Sequence, residues 1–385
     1  MNLSYLNTYS FELGPIRPPS EAYSLLIRAT RNCPWNRCYF CDTYKTQKFE
    51  LRTVEEIKND IQTAKAISEE IRALTWRLGY GGRLQEVAAM LYTSLYYNPS
   101  VRSVALWLYF DAQSAFLQDA NSLIMRTAEL AQVVRFLKET LPSLTRITSY
   151  GRSKTAAKKS VEELKELHDA GLSRLHIGLE TGDDKLLEYV QKGVTAEEHI
   201  KGGRKVKEAG ISLCEYVMPG LGGRKMSKEH VEHTARVLNE IEPDYIRLRT
   251  LEVREGMPLL HKLQEGDFEL QTEDEVVEEV GGLIERLNCQ SELKSDHIIN
   301  LLPEVEGKLP QDKRKMLATI KQYLALSIEE RINFQLGRRM GYYERLEELQ
   351  DAYKHEKVEQ AIKRIEMEIP GGVEEALCDL KARFI

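Results

Sequence analysis

Long apolar runs are missing from this chain. No stretch approaches the roughly 20 apolar residues that span a bilayer, although 42% of the residues are hydrophobic. The opening MNLSYLNTYSFELG lacks a basic segment followed by an apolar one, so it does not read as a secretory signal, and the expected home is the cytoplasm. Cysteine is scarce. Six in 385 residues make no disulfide framework, and Cys214, Cys289 and Cys378 are scattered. Basic excess is absent as well. A net charge of −6 argues against a dominant electrostatic grip on nucleic acid while leaving room for a local basic groove. What remains is a composition suited to a well-filled core, and a length that holds one large domain plus an accessory one.

The three other cysteines lie within nine positions. In SLLIRATRNCPWNRCYFCDTYK (24–45) the apolar run Leu25-Leu26-Ile27 reads as a buried strand, which breaks into a loop carrying Cys33, Cys38 and Cys41. Thiolates are soft ligands, and this tight spacing suits an iron–sulfur cluster better than tetrahedral zinc. Three ligands on a [4Fe–4S] cube leave one iron open to a small molecule. The alternative is a structural zinc site with a distant fourth ligand such as His297.

Behind the loop the chain alternates strand and helix about six times. Thr53 and Glu56 form a capping box opening a helix through Ile57, Ile61, Ala64 and Ile67. A second helix is expected from about Leu84 to Tyr96, and VRSVALWLYF (101–110) is ambiguous between strand and helix. Strands are expected at Ala115–Leu117, Arg146–Tyr150, Leu175–Leu179, Ile211–Met218 and Tyr245–Val253. Helices lie between them, with Ser160, Thr195 and Ser227 as N-caps. Such alternation calls for a parallel sheet with helices outside, and sites at the strand ends. Beyond about Gly266 strand signals vanish and charge density rises. Helices are expected at Glu273–Leu287, Gln311–Leu326 and Tyr343–Met367, with a break at Pro370 and a last helix, Val373–Phe384. The stripe Leu346, Leu349, Tyr353, Val358, Ile362, Ile365 reads as packing against the barrel, with a homodimer contact as the alternative.

The cysteine stretch resembles the motif of radical S-adenosylmethionine (SAM) enzymes, C-x3-C-x-aromatic-C. Its first gap is one residue longer here, and Phe40 stands at the aromatic position. A second segment, HIGLETG (176–182), is similar to the GLE-S/T-G segment of the branch holding coproporphyrinogen dehydrogenases, Elongator-like enzymes and methylthiotransferases. The resemblance implies a partial (β/α)6 barrel at 24–265, after a lead-in at 1–23 and before a helical domain at 266–385. It implies a [4Fe–4S] cluster on Cys33, Cys38 and Cys41, with SAM on its open iron. It also implies reduced flavodoxin or ferredoxin as electron donor.

The same resemblance suggests roles for further residues. Asp119 stands where the SAM ammonium is bound, although the usual glycines are missing, and an ordinary turn-capping Asp is an equal reading. Ser149 and Arg152, in TSYGR, stand where ribose or the methionine carboxylate is held. Glu180 would accept hydrogen bonds from the ribose hydroxyls, and Lys192, twelve residues on, would face the SAM carboxylate. Leu221 lies in MPGLGG, similar to the G-L-P-G turn beside adenine. Arg247 and Arg249 share one strand face; they read as salt-bridged residues or as binders of an anionic substrate. His297 is a candidate at the mouth of the site.

The expected function is reductive cleavage of SAM to a 5′-deoxyadenosyl radical that abstracts hydrogen from a small or medium organic substrate. The sequence shows no second cysteine cluster, no cobalamin-binding domain before the barrel and no β-rich RNA-binding module. An RNA-modifying or porphyrinogen decarboxylase-like enzyme is the alternative within the family, and a non-catalytic iron–sulfur or metal carrier the alternative outside it.

Overall fold

Leu25, Leu26 and Ile27 are buried in strand β1 (Leu25–Arg28), as a continuous apolar run requires when both faces are covered. The computed structural model in which they are seen describes residues 3–369 and 371–382. The chain divides into two compact units. The first comprises Met1–Asn36, Thr43–Ile177 and Lys201–Leu213; the second comprises Arg37–Asp42, Gly178–Ile200 and Cys214–Ile385.

In the first unit a two-residue ribbon, β2 (Thr30–Arg31) with β3 (Glu50–Leu51), closes the base of the cysteine loop. Strands β4 (Ser114–Gln118), β5 (Arg146–Gly151) and β6 (Leu172–Glu180) then follow β1, all neighbours running parallel. The register pairs Ala115 with Leu25 and Ile147, and Ser149 with Leu175. Parallel neighbours need long crossovers, and helices supply them: α1 (Val54–Arg77), α2 (Leu84–Thr93), α3 (Pro99–Tyr109), α4 (Thr127–Thr140), α5 (Ser153–Lys158) and α6 (Val161–Ala170). The Thr53–Glu56 capping box starts α1, which buries Ile57, Ile61, Ala64, Ile67 and Ile71 at helical spacing. The ambiguous stretch at 101–110 is helical. Asn98 accepts from the Val101 N–H at 3.0 Å and Pro99 takes the first helical position, so a strong start settles what the apolar pattern leaves open.

The second unit begins its regular structure with α7 (Asp184–Tyr189) and the first turn of α8 (Ala196–Glu208). Strands β7 (Ser212–Val217), β8 (Tyr245–Leu248) and β9 (Glu292–Lys294) are parallel neighbours, and β10 (Gly307–Lys308) is antiparallel to β9. Helices α9 (Gly223–Ile241), α10 (Pro258–Gln264), α11 (Glu273–Arg286), α12 (Lys313–Leu324), α13 (Ile328–Arg339), α14 (Ala352–Glu368) and α15 (Gly372–Ala382) make up most of the rest. The protein is thus of the expected α/β class, with parallel strands.

Several details differ from the sequence reading. Strand β8 ends at Leu248 and not at Val253, so Arg249 lies beyond the strand that carries Arg247. Strands do occur beyond Gly266, but β9 and β10 are two or three residues long, too short for an alternating pattern. Helix α9 starts at Gly223, so Ser227 lies inside it, and its hydroxyl turns to Glu279 instead of capping. The helix expected at Tyr343–Met367 is split. A 3-10 turn, Leu346–Gln350, precedes α14, whose cap Asp351 accepts from the Tyr353 and Lys354 N–H groups. Along α14 the apolar stripe buries Val358, while Tyr353 is 69% exposed. Pro370 and the end of the last helix at Phe384 lie outside the described residues. Among the described residues no helix is long and apolar enough to cross a membrane.

Candidate functional site: a cysteine loop and a carboxylate–lysine–aromatic cluster

The cysteine loop is held at both ends. In the first unit, the Asn32 N–H donates to the Asp119 Oδ2 at 2.9 Å, and the Asn36 side-chain amide reaches the Tyr44 carbonyl. Asn32 and Asn36 take left-handed φ values of 66° and 49°, where Asn is tolerated because its short amide bonds locally. The Asn36 N–H points at the Cys33 sulfur at 3.4 Å. In the second unit, the Tyr39 N–H donates to the Val190 carbonyl at 2.9 Å and the Leu259 N–H donates to the Tyr39 carbonyl at 3.0 Å. Phe40 packs in a buried cluster with Leu186, Val190, Met218, Leu221, Leu251 and Leu259, and Cys38 and Cys41 lie against it. Asp42 is clamped by Arg254 at 3.0 Å.

All three cysteines are half-buried and none is in a disulfide. Cys33 belongs to the first unit, Cys38 and Cys41 to the second. Among the described residues no three His, Cys, Asp or Glu side chains form a metal-binding group. The donor chemistry fits an iron–sulfur cluster: three soft sulfurs on one short loop, one of them already accepting a backbone hydrogen bond.

Glu180 ends β6 in the left-handed region, with φ 63°. A non-glycine residue there is strained, and such strain gathers at functional sites. Its carboxylate accepts from Lys192 Nζ at 3.0 Å, and the ammonium also stands 5.3 Å from the centre of the Phe40 ring. Both charged side chains are only 12% exposed. Gly178 makes this possible, because a Cβ there would collide with the Glu180 carboxylate and crowd the lysine. The structure therefore joins four residues named from sequence: Glu180, Lys192, Phe40 and, in the same buried cluster as Phe40, Leu221.

The remaining candidates are placed differently. The carboxylate of Asp119 is buried and bound to Arg28 at 2.6 Å and to the Asn32 N–H, so the chain itself uses its charge; burial still raises its pKa. Ser149 is buried, its hydroxyl donating to the Leu117 carbonyl at 3.1 Å. The Arg152 guanidinium lies 5.1 Å from the centre of the Trp35 ring. Arg247 is paired with Asp296, the salt-bridged reading of the two arginines. Arg249 is exposed and lines, with Phe40, Met218, Leu251 and Met257, a small pocket open to solvent. Burial, with Arg249 nearby, pushes the His297 pKa down to about 4, so its ring is neutral near pH 7.

One residue escaped the sequence reading. Glu215 lies in the middle of β7, fully buried, and neither carboxylate oxygen has a hydrogen-bond partner among the described residues. Burial lifts its pKa well above 4.5; Glu180 adds to the rise and Lys192 opposes it. The available signal was an acid inside the apolar run LCEYV.

The family model of the radical SAM superfamily matches residues 119–238, which contain Asp119, Glu180, Lys192, Glu215 and Leu221. This segment is a radical SAM domain. The chain is 27% identical over 123 residues to a tRNA uridine(34) acetyltransferase of Methanocaldococcus jannaschii, covering 30% of this chain and 22% of that protein. It is 20% identical over 169 residues to the heme chaperone HemW of Bacillus subtilis, covering 44% of each. The chain thus spans from about a fifth to under half of the length of these relatives. The structure of coproporphyrinogen III oxidase HemN from Escherichia coli aligns with a TM-score of 0.44 at 13% identity, over 68% of this chain and 51% of that one. Radical SAM proteins are an enzyme superfamily whose cofactors are a [4Fe–4S] cluster and SAM, and whose chemistry requires an electron donor and a substrate.

Proposed function

We propose that this radical SAM protein holds a [4Fe–4S] cluster on Cys33, Cys38 and Cys41 and binds SAM beside Glu180, Lys192, Phe40 and Leu221. When bound, cluster and SAM together supply a reductively generated 5′-deoxyadenosyl radical that takes hydrogen from a substrate. The substrate in this reading is a small or medium organic molecule, and the electron comes from reduced flavodoxin or ferredoxin.

The observation that carries the reading is the half-buried Glu180–Lys192 pair folded onto Phe40. Each charge has a task toward SAM. The Glu180 carboxylate accepts hydrogen bonds from two adjacent ribose hydroxyls. The Lys192 ammonium faces the amino-acid carboxylate of SAM as a point charge. Phe40, Leu221 and Met218 present an apolar wall to the adenine ring and keep water from it. Without SAM, the two charges satisfy each other.

Anaerobic reconstitution with iron and sulfide, reduction with dithionite and addition of SAM should yield 5′-deoxyadenosine. Cys38→Ala should lose both this product and the cluster absorption at about 400 nm that thiolate-ligated iron gives. A carrier that merely passes a cluster on would yield no 5′-deoxyadenosine, and that result would refute the enzyme reading.

A second reading, an RNA-modifying enzyme, is favoured by the likeness to an archaeal tRNA uridine(34) acetyltransferase. Binding of transfer RNA that weakens steeply with added salt would support it. Unchanged SAM cleavage and no RNA binding would leave the small-molecule reading.

A further inference from the structure

Two turns carry the proposed SAM contacts: Glu180–Asp183 after β6, and Met218–Gly223 after β7. A single buried network ties both to α9 and α11. The Thr181 hydroxyl meets Nδ1 of His230 at 2.8 Å and accepts from the Asp183 N–H at 3.1 Å. The Thr234 hydroxyl stands 3.4 Å from the same Nδ1. Nε2 stands 3.6 Å from a Glu279 oxygen, and His230 also hydrogen-bonds the Met218 backbone. The same Glu279 oxygen accepts from the Gly220 N–H at 2.7 Å, and its other oxygen binds the Ser227 hydroxyl. A second strut runs from the Gly182 N–H to the Thr234 hydroxyl at 2.9 Å. Gly182 lies so close to α9 that a Cβ would strike the His233 carbonyl. His230 and Glu279 are 2% and 6% exposed, and Thr234 is fully buried.

Burying a histidine and a carboxylate is costly unless every polar atom is used. Here the atoms are used to hold backbone, and the backbone belongs to two turns that are not adjacent in sequence. Glu279 lies outside the segment matched by the radical SAM family model. We infer that His230 and Glu279 are positioning residues that brace the Glu180 turn and the Gly220–Leu221 turn in one fixed spacing, and so set the affinity for SAM. The inference rests on the proposed SAM pocket and adds residues that do not themselves touch the cofactor.

The test compares Glu279→Ala, Glu279→Gln and Thr181→Val with a control, Asn333→Ala. Asn333 is equally buried and accepts the Tyr343 hydroxyl at 2.7 Å, away from both turns. Each reconstituted protein is measured for cluster absorbance, Tm, equilibrium SAM binding, and KM and kcat for SAM cleavage. Glu279→Ala should weaken SAM binding about tenfold, the scale of losing one hydrogen bond to a charged group. It should raise KM more than it lowers kcat, with cluster absorbance unchanged. Glu279→Gln, which still offers an acceptor to Gly220, should recover most of the affinity. Thr181→Val, which cuts the tie to His230, should also weaken SAM binding even where Glu279→Ala is too unstable to assay. Asn333→Ala should lower Tm and leave SAM affinity intact. If the turn variants weaken SAM no more than the control does at equal loss of Tm, the brace is refuted. Wild-type protein that binds no SAM would instead refute the parent reading of the pocket.

Discussion

Glu180 and Glu215 show how one acid type serves two purposes. Glu180 is half-buried and compensated by Lys192 at 3.0 Å. Its removal breaks the ion pair with Lys192 and takes away the proposed ribose acceptor. Glu180→Ala should keep the cluster absorbance and weaken SAM binding by about tenfold or more, roughly 1.4 kcal/mol, as read by equilibrium dialysis. Glu215 has no such partner, and burial raises its pKa well above 4.5. The folded state therefore binds a proton that the unfolded state releases once the pH exceeds 4.5. The stabilising contribution of the neutral acid is present below that value and is lost as pH rises toward the folded pKa. Glu215→Gln keeps the shape and cannot ionise. Its Tm relative to wild type should climb as the pH rises above about 5, and a constant difference would contradict the buried-acid assignment.

At the scale of elements, local chemistry decides most starts and stops. The capping boxes at Thr53–Glu56 and Ser160–Glu163 form as their spacing predicts. Thr53→Ala should destabilise the protein by about 1 kcal/mol, measured by urea unfolding, because α1 loses its first acceptor. The same logic explains what the sequence concealed. Ser227 looks like a cap, but its hydroxyl is drawn to Glu279, and α9 begins five residues earlier than its pattern suggests. Strands β9 and β10 have too few residues to show a period. The cysteine loop was legible because three like residues fall within nine positions. Glu180 and Lys192 each stand out through a familiar motif and its twelve-residue spacing, but their contact with each other shows only in the structure. The brace was not: His230 and Glu279 are 49 residues apart in sequence and meet only because α9 and α11 pack together. Glu215 was hidden by its neighbours, which read as an ordinary apolar strand.

For the whole molecule, the central claim is that one chain gathers three thiolates and a SAM pocket into a working radical SAM centre. The apolar strands and helices supply the scaffold, and the charged residues near Phe40 are proposed to supply the recognition. Low-temperature EPR tests the claim most directly. The protein is reconstituted anaerobically, reduced with dithionite, and its spectrum recorded with and without SAM. The account predicts a reduced [4Fe–4S] signal that shifts when SAM is added, because SAM binds the open iron. No such signal after reconstitution, with zinc found in its place, would contradict it.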